Sequence, residues 1–165
     1  MQKQSIMGIA PEVPPCKMSL EELLLHALVM EREAVHRYTE LSKMMECIGN
    51  NKVARIFANM SEIEARHAKP LEDQRGEHAL PILTPSEYLW RGSESPENAD
   101  SDRVFHLMNP RQAMSLALEC EKRAREFFAD VVDDSTDEIV RDVAAEIAVE
   151  EEQHVAWVKE WLAEL

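Results

Sequence analysis

Four stretches of this chain carry apolar residues at alternating spacings of three and four, and each of the four stripes is interrupted near its middle by a glutamate. Residues at those spacings share one face of a helix, so the stripes predict four amphipathic helices. The glutamates narrow what such helices can build. A carboxylate on a face meant for burial must find a partner or give up its charge. The first stripe is Leu20, Leu23, Leu24, Ala27, Leu28, Glu31, Ala34, Val35, Tyr38 and Leu41. The second is Val53, Ile56, Phe57, Met60, Ile63, Glu64, His67 and Leu71. The third runs Ala113, Met114, Ala117, Leu118, Glu121, Ala124, Phe128, Val131 and Val132, and the fourth Ile139, Val143, Ala144, Ile147, Glu151, His154, Val158 and Leu162.

Local signals bound these helices. Ser19 with Glu22 makes a capping box, and Gly49, two residues past Cys47, supplies the first stop. Helix two follows Asn50 and Asn51. Pro70 falls inside its pattern, so the helix is expected to kink there or end near Lys69. Asn109-Pro110-Arg111-Gln112 opens helix three with a cap, a proline at the first helical position and a reach-back glutamine. Ser135 and Glu138 suggest a capping box for helix four. Residues of about 71–109 break the pattern with Pro81, Pro85 and Pro96, Gly76 and Gly92. So long a stretch without periodicity is read as a crossover joining two helical hairpins. Tyr88-Leu-Trp90 is expected to pack part of it on the bundle, with a short helix as one option. The expected organisation is an all-α four-helix bundle over residues 19–165, behind an N-terminal extension of residues 1–18.

Four carboxylates near one bundle axis would repel strongly unless cations lay between them. Two divalent metals would offset that repulsion, and carboxylate with imidazole suits iron or manganese. The Glu-x-x-His spacing, which puts both side chains on one face, occurs three times. Face separates the three: Glu64 with His67 and Glu151 with His154 lie in register with core stripes, whereas Glu33 and His36 point away from Glu31 and read as solvated. A repeat strengthens the pattern. Ala27-Leu-Val-Met-Glu31-Arg-Glu-Ala34-Val-His-Arg-Tyr38 parallels Ala117-Leu-Glu-Cys-Glu121-Lys-Arg-Ala124-Arg-Glu-Phe-Phe128. Each half thus offers one Glu from its first helix and one Glu-x-x-His from its second, the ligand plan of bundle-core dimetal sites. The candidate metal ligands are Glu31, Glu64, His67, Glu121, Glu151 and His154.

Glu-x-x-Ala-x-x-x-Tyr with Glu-x-x-His, repeated with Phe128 in place of the tyrosine, resembles the rubrerythrin branch of the ferritin-like di-iron superfamily, over about Ser19 to Leu165. The resemblance implies two iron ions, with manganese or zinc possible in their place, Glu64 and Glu151 bridging, Glu31 and Glu121 terminal and the histidines completing the set. It implies an oxidoreductase that reduces peroxide or dioxygen, the chemistry of oxidative-stress defence. The alternative is a ferroxidase-like protein for metal handling or storage without substrate turnover. Two departures bear on this: the rubredoxin domain of full-length rubrerythrins is expected to be absent, and the extra carboxylate expected one turn after Glu121 is Ala124. Cys16, Cys47 and Cys120 form no Cys-x-x-Cys pair, so electrons are expected from a separate donor, rubredoxin-like or a flavoprotein.

The remaining residues carry weaker signals. Tyr38 reads either as a hydrogen-bond donor or radical carrier beside the ligands, or as a half-buried core tyrosine. Cys120 reads as a small core filler and Met44-Met45 as packing. His26, His78 and His106 fall outside the repeat and are expected on the surface or in loops. Glu62, Glu119 and Glu150 read as surface or interface charges. The net charge of −14 speaks against nucleic acid, since few basic clusters exist to neutralise phosphates. With no long apolar run for a membrane or a signal peptide and only three cysteines, a cytoplasmic protein is expected, and a homodimer is the expected assembly.

Overall fold

The computed structural model describes residues 18–74, 89–90, 95–97, 104–105 and 107–165. Among them the regular elements are α1 (Leu20–Cys47), α2 (Asn51–Gln74), α3 (Pro110–Asp134) and α4 (Glu138–Glu164), with no strand. The first helix begins where the capping box requires: Ser19 Oγ accepts from the Glu22 amide at 3.2 Å, and the Glu22 carboxylate accepts from the Ser19 amide at 2.8 Å. It stops at Gly49, which takes φ +80°, and the next amide returns to the Met45 carbonyl at 2.8 Å. Asn109 and Gln112 cap α3 reciprocally, with Pro110 at the first helical position.

Two boundaries differ from the sequence expectation. The second helix passes through Pro70 and continues to Gln74, four residues into the stretch read as crossover. Pro70 and Arg66 are both exposed, so the turn in which Pro70 removes a helical hydrogen bond lies on the solvent side of α2. Helix α4 is capped by Asp137, not Ser135: Asp137 Oδ1 accepts from the amides of Ile139 and Val140. Ser135 instead closes α3, and its hydroxyl accepts from the Asp137 amide at 3.2 Å. With that start the buried row is Val140, Ala144, Glu151, His154 and Val158, and Ile139 is 62% exposed.

The helices pack as two hairpins, α1 with α2 and α3 with α4, and α2 with α3 and α1 with α4 close the bundle. Polar contacts fix the direction of the first pair. Ser42 Oγ donates to the Ala54 carbonyl at 2.9 Å, while Ser61 Oγ donates to the Val35 carbonyl at 3.1 Å. As one number falls the other rises, so the pair is antiparallel.

The buried residues form two apolar clusters instead of one core. The first holds Tyr38, Leu41, Met45, Phe57, Met60, Met114, Ala117, Cys120 and Val158. The second holds Leu23, Ala27, Met30, Trp90, Ala124, Phe128, Val131, Val140 and Ala144. Glu31 falls between the clusters on α1, Glu121 on α3 and Glu151 on α4; Glu64 follows the first-cluster residues of α2. Following each helix from one cluster to the other gives its direction. Chains α1 and α4 run from the second cluster to the first; α2 and α3 run from the first to the second. The link from the end of α2 to the start of α3 must therefore return along the whole bundle, which no tight turn can do.

Gly49 provides a clean test of the first hairpin turn. A Cβ there meets nothing within 4 Å, so the cost of a side chain is that of the left-handed backbone alone. Gly49→Ala should lower stability by about 1 kcal/mol and Gly49→Asn by less, measured by chemical denaturation.

Candidate metal centre

The six side chains singled out in the sequence meet at one level of the bundle. Glu31, Glu64, Glu121 and Glu151 are each buried, with Glu64 and Glu121 only 1% exposed. Each histidine faces one carboxylate from its own helix and one from the hairpin partner. His67 Nδ1 lies 3.1 Å from Glu64 Oε2 and 3.9 Å from Glu31 Oε2. His154 Nδ1 lies 3.2 Å from Glu151 Oε2 and 3.4 Å from Glu121 Oε2. The two imidazoles stack across the bundle, centroids 4.0 Å apart and planes within 8°. The sequence repeat is thus a spatial repeat as well.

The donors suit a cation. Three groups have ligand atoms mutually within 4.8 Å: Glu64, His67 and His154; Glu121, Glu151 and His154; and Glu31, Glu97 and Glu151. Two donors bonded at right angles to one metal, at about 2.1 Å each, stand roughly 3 Å apart, close to the Nδ1–carboxylate separations here. Glu31 Oε2, Glu64 Oε1 and Glu121 Oε2 are buried without a hydrogen-bond partner. Buried oxygens are seldom left so, and a bound ion is one of the few groups that would satisfy several at once.

Without a cation the charges are held in check by protons. Burial, then the neighbouring carboxylates Glu64 and Glu151, push Glu31 well above the ordinary carboxylate range. Burial, with Glu64 nearby, raises Glu121 to about 7. Glu64 also rises to about 7; burial and Glu151 outweigh the opposing pull of His154. Burial would depress His154, but the Glu121 and Glu151 carboxylates against its ring prevail and lift it to about 10. His67 goes the other way, to about 4, because it is buried and stacked on the His154 cation. The two imidazoles of the stack are thus shifted in opposite directions.

The other side chains sort as follows. Glu33 and His36 belong to none of the three donor groups, and His36 makes an exposed contact with Glu40 at 3.5 Å. Tyr38 is fully buried, against the half-buried expectation, with its hydroxyl beside the Cys120 thiol; burial raises it well above the ordinary phenol value. His26 is buried, which corrects its reading as a surface residue. Its Nδ1 meets the Glu22 carbonyl at 2.6 Å, Nε2 accepts from the Leu89 amide at 3.2 Å, and its edge meets Trp90. It is a clamp for the crossover. His78, His106 and Tyr88 lie outside the described residues.

Glu97 escaped the sequence reading altogether. It stands in a turn of the crossover, yet it is 2% exposed and its carboxylate reaches Glu31 and Glu151. The run Gly92-Ser-Glu-Ser-Pro that precedes it has no periodicity, so no stripe marks Glu97 as inward-facing. The topology was the available signal: a link returning along the bundle must pass the acidic level.

The profile of the Rubrerythrin family matches residues 22–162, which include all six converging side chains and both helical hairpins. The chain belongs to the rubrerythrin family. A crystal structure of an uncharacterized conserved protein from Magnetospirillum magnetotacticum MS-1 is similar to this rubrerythrin-family chain, with 30% identity and a TM-score of 0.66. The match covers 89% of this chain and 95% of that one. No curated protein matches it. None of the described helices is long and apolar enough to cross a membrane.

The metal-free rubrerythrin-family protein should lose stability as pH rises. Carboxyls with raised folded values hold protons that the unfolded chain has released. Their contribution is whole below about 4.5 and is lost as pH climbs through about 7 for Glu64 and Glu121. His154 adds a further loss between about 6.5 and 10. His67 works in the opposite sense between about 6.5 and 4, but it is one group against several. Melting temperatures of the metal-free protein should therefore fall from pH 5 to pH 9. Near pH 8, Glu121→Gln should melt a few degrees higher than the parent, the response of a domain this size to about 1 kcal/mol. A lower melt would show that these carboxyls do not repel one another.

Proposed function

We propose that this protein is a di-iron, or mixed iron/manganese, carboxylate oxidoreductase that reduces peroxide or dioxygen with electrons from a separate donor. The observation that carries the reading is the paired geometry: two histidine Nδ1 atoms, each between an own-helix and a partner-helix carboxylate, stacked at 4.0 Å. In this reading Glu64 and Glu151 would be shared by the two metals, Glu31 and Glu121 would hold one each, and His67 and His154 would complete the set. Bound there, a redox-active pair supplies the electrons that an O–O bond accepts.

The protein's own side chains do the rest. The two apolar clusters keep bulk water from the acidic level on both sides. A hollow of about 10 Å³, room for about one water-sized molecule, reaches Glu121 and His154 between Met60, Ile63, Trp157, Val158 and Trp161. A hollow of that size refuses bulky substrates. The Tyr38 hydroxyl, kept protonated by burial, is a donor held near the carboxylates. Trp157 stacks on His154, its ring centroid 5.6 Å away, and is 41% exposed, which offers a short path outward for electrons from a donor.

Anaerobic titration with ferrous iron should load about two metals per chain. Loaded protein given a reductant should then consume peroxide through many turnovers. Oxidation of the bound iron once, without turnover, would favour metal handling, and a maximum below one equivalent for every divalent metal would overturn the reading. Glu64→Ala and Glu151→Ala should each abolish paired-metal binding and turnover, while Glu33→Ala and His36→Ala leave both intact.

A further inference from the structure

Among the described residues of the crossover, Glu97 enters the bundle, and the topology explains why a crossover residue can do so. The crossover must travel from the second apolar cluster back to the first. Trp90 packs within the second cluster, against His26 and Phe127, and Val104 and Met108 pack against the first. Glu97 lies between these anchors along the chain, and the acidic level lies between the same two clusters. Two hydrogen bonds hold the approach. His26 Nε2 accepts from the Leu89 amide, and on α3 Arg123 Nε donates to the Pro96 carbonyl at 2.8 Å. The residue after that pinned carbonyl is Glu97, with its carboxylate turned inward.

The environment of that carboxylate is incomplete. Both oxygens are buried without a hydrogen-bond partner, and the carboxylate stands with Glu31 and Glu151 as a group whose ligand atoms lie within 4.8 Å of one another. Three carboxylates from three separate segments, with His154 against Glu151, His67 near Glu31 and no ion pair described at Glu97, either take up protons or share a bound ion. A residue meant only to fill space there would gain nothing from a carboxyl. We propose that Glu97 is a seventh ligand of the centre, supplied by the crossover on the side of Glu31 and Glu151. One metal position is then complete only while the crossover is docked. The inference rests on the two-metal reading and assigns the crossover a binding role within it.

The test compares the full-length parent with Glu97→Gln, which keeps the size of the side chain and removes its charge. Manganese(II) and anaerobic ferrous iron are titrated by calorimetry, and exchange of the Glu97-position backbone amide is followed by NMR with and without metal. The parent should bind two ions and slow exchange at that amide on loading. Glu97→Gln should keep the first ion at parental affinity, bind the second at least tenfold more weakly and lose the protection. Glu97→Asp, which withdraws the charge by one methylene, should fall between them, and the exposed Glu62→Gln should match the parent. A metal-free melt of Glu97→Gln at or above that of the parent would show that the variant folds. If Glu97→Gln binds both ions with parental affinity, the inference is overturned and the two-metal reading stands. If the parent itself fails to take a second ion, the two-metal reading fails and this inference with it.

Discussion

Five glutamates among the described residues are withdrawn from water at one level of the bundle, together with His154 and the partly exposed His67. That layer is the constraint on which the other features depend. A buried carboxylate costs several kcal/mol once solvation is lost, and like charges close together add to it. Apolar side chains at the same positions would join the two clusters into one continuous core. Instead the core is divided, and each half must hold its share of four helices. Small residues next to the layer (Ala27, Ala34, Ala117 and Ala124, all buried) let the helices approach closely enough for glutamates to meet.

The divided core also sets the demands on the connections. Each hairpin closes with a few residues because its helices are antiparallel neighbours. Asn50 Nδ2 donates to the Met108 carbonyl at 2.7 Å, tying the first hairpin turn to the approach of α3. Helices α2 and α3 run the same way, so the segment between them spans the bundle and passes the acidic layer. His26, Trp90 and Arg123 hold it against α1 and α3 at described points. A long connection of this kind is open to functional use, because it reaches a site that the helices already surround.

Much of this was legible in the sequence, for reasons that are local. Helix existence followed from spacing, and the Ser19 and Asn109 caps followed from side chains whose partners lie three residues away. The glutamates and histidines could be placed because a helix fixes which residues share a face. The misreadings arose where the answer depends on another segment. Ser135 and Asp137 both have capping side chains, and the choice turned on where α3 ends. At Pro70 the sequence left two outcomes open, and the helix takes the one that continues, on its exposed side. His26 looked like a surface residue because nothing in α1 reveals that Leu89 and Trp90 lie over it. Glu97 needs the direction of all four helices before its position can be inferred. The Rubrerythrin profile match, over residues 22–162, spans the periodic residues that made the helices legible.

The central claim is that the acidic layer holds two metals between the hairpins. The most direct test is iron-edge anomalous diffraction from crystals of protein loaded anaerobically with ferrous iron. The account predicts two peaks about 3.5–4 Å apart, between the helices, with Glu64 and Glu151 reaching both and one histidine beside each. A single peak, or peaks confined to acidic residues on the bundle surface while the buried layer stays empty, would contradict it.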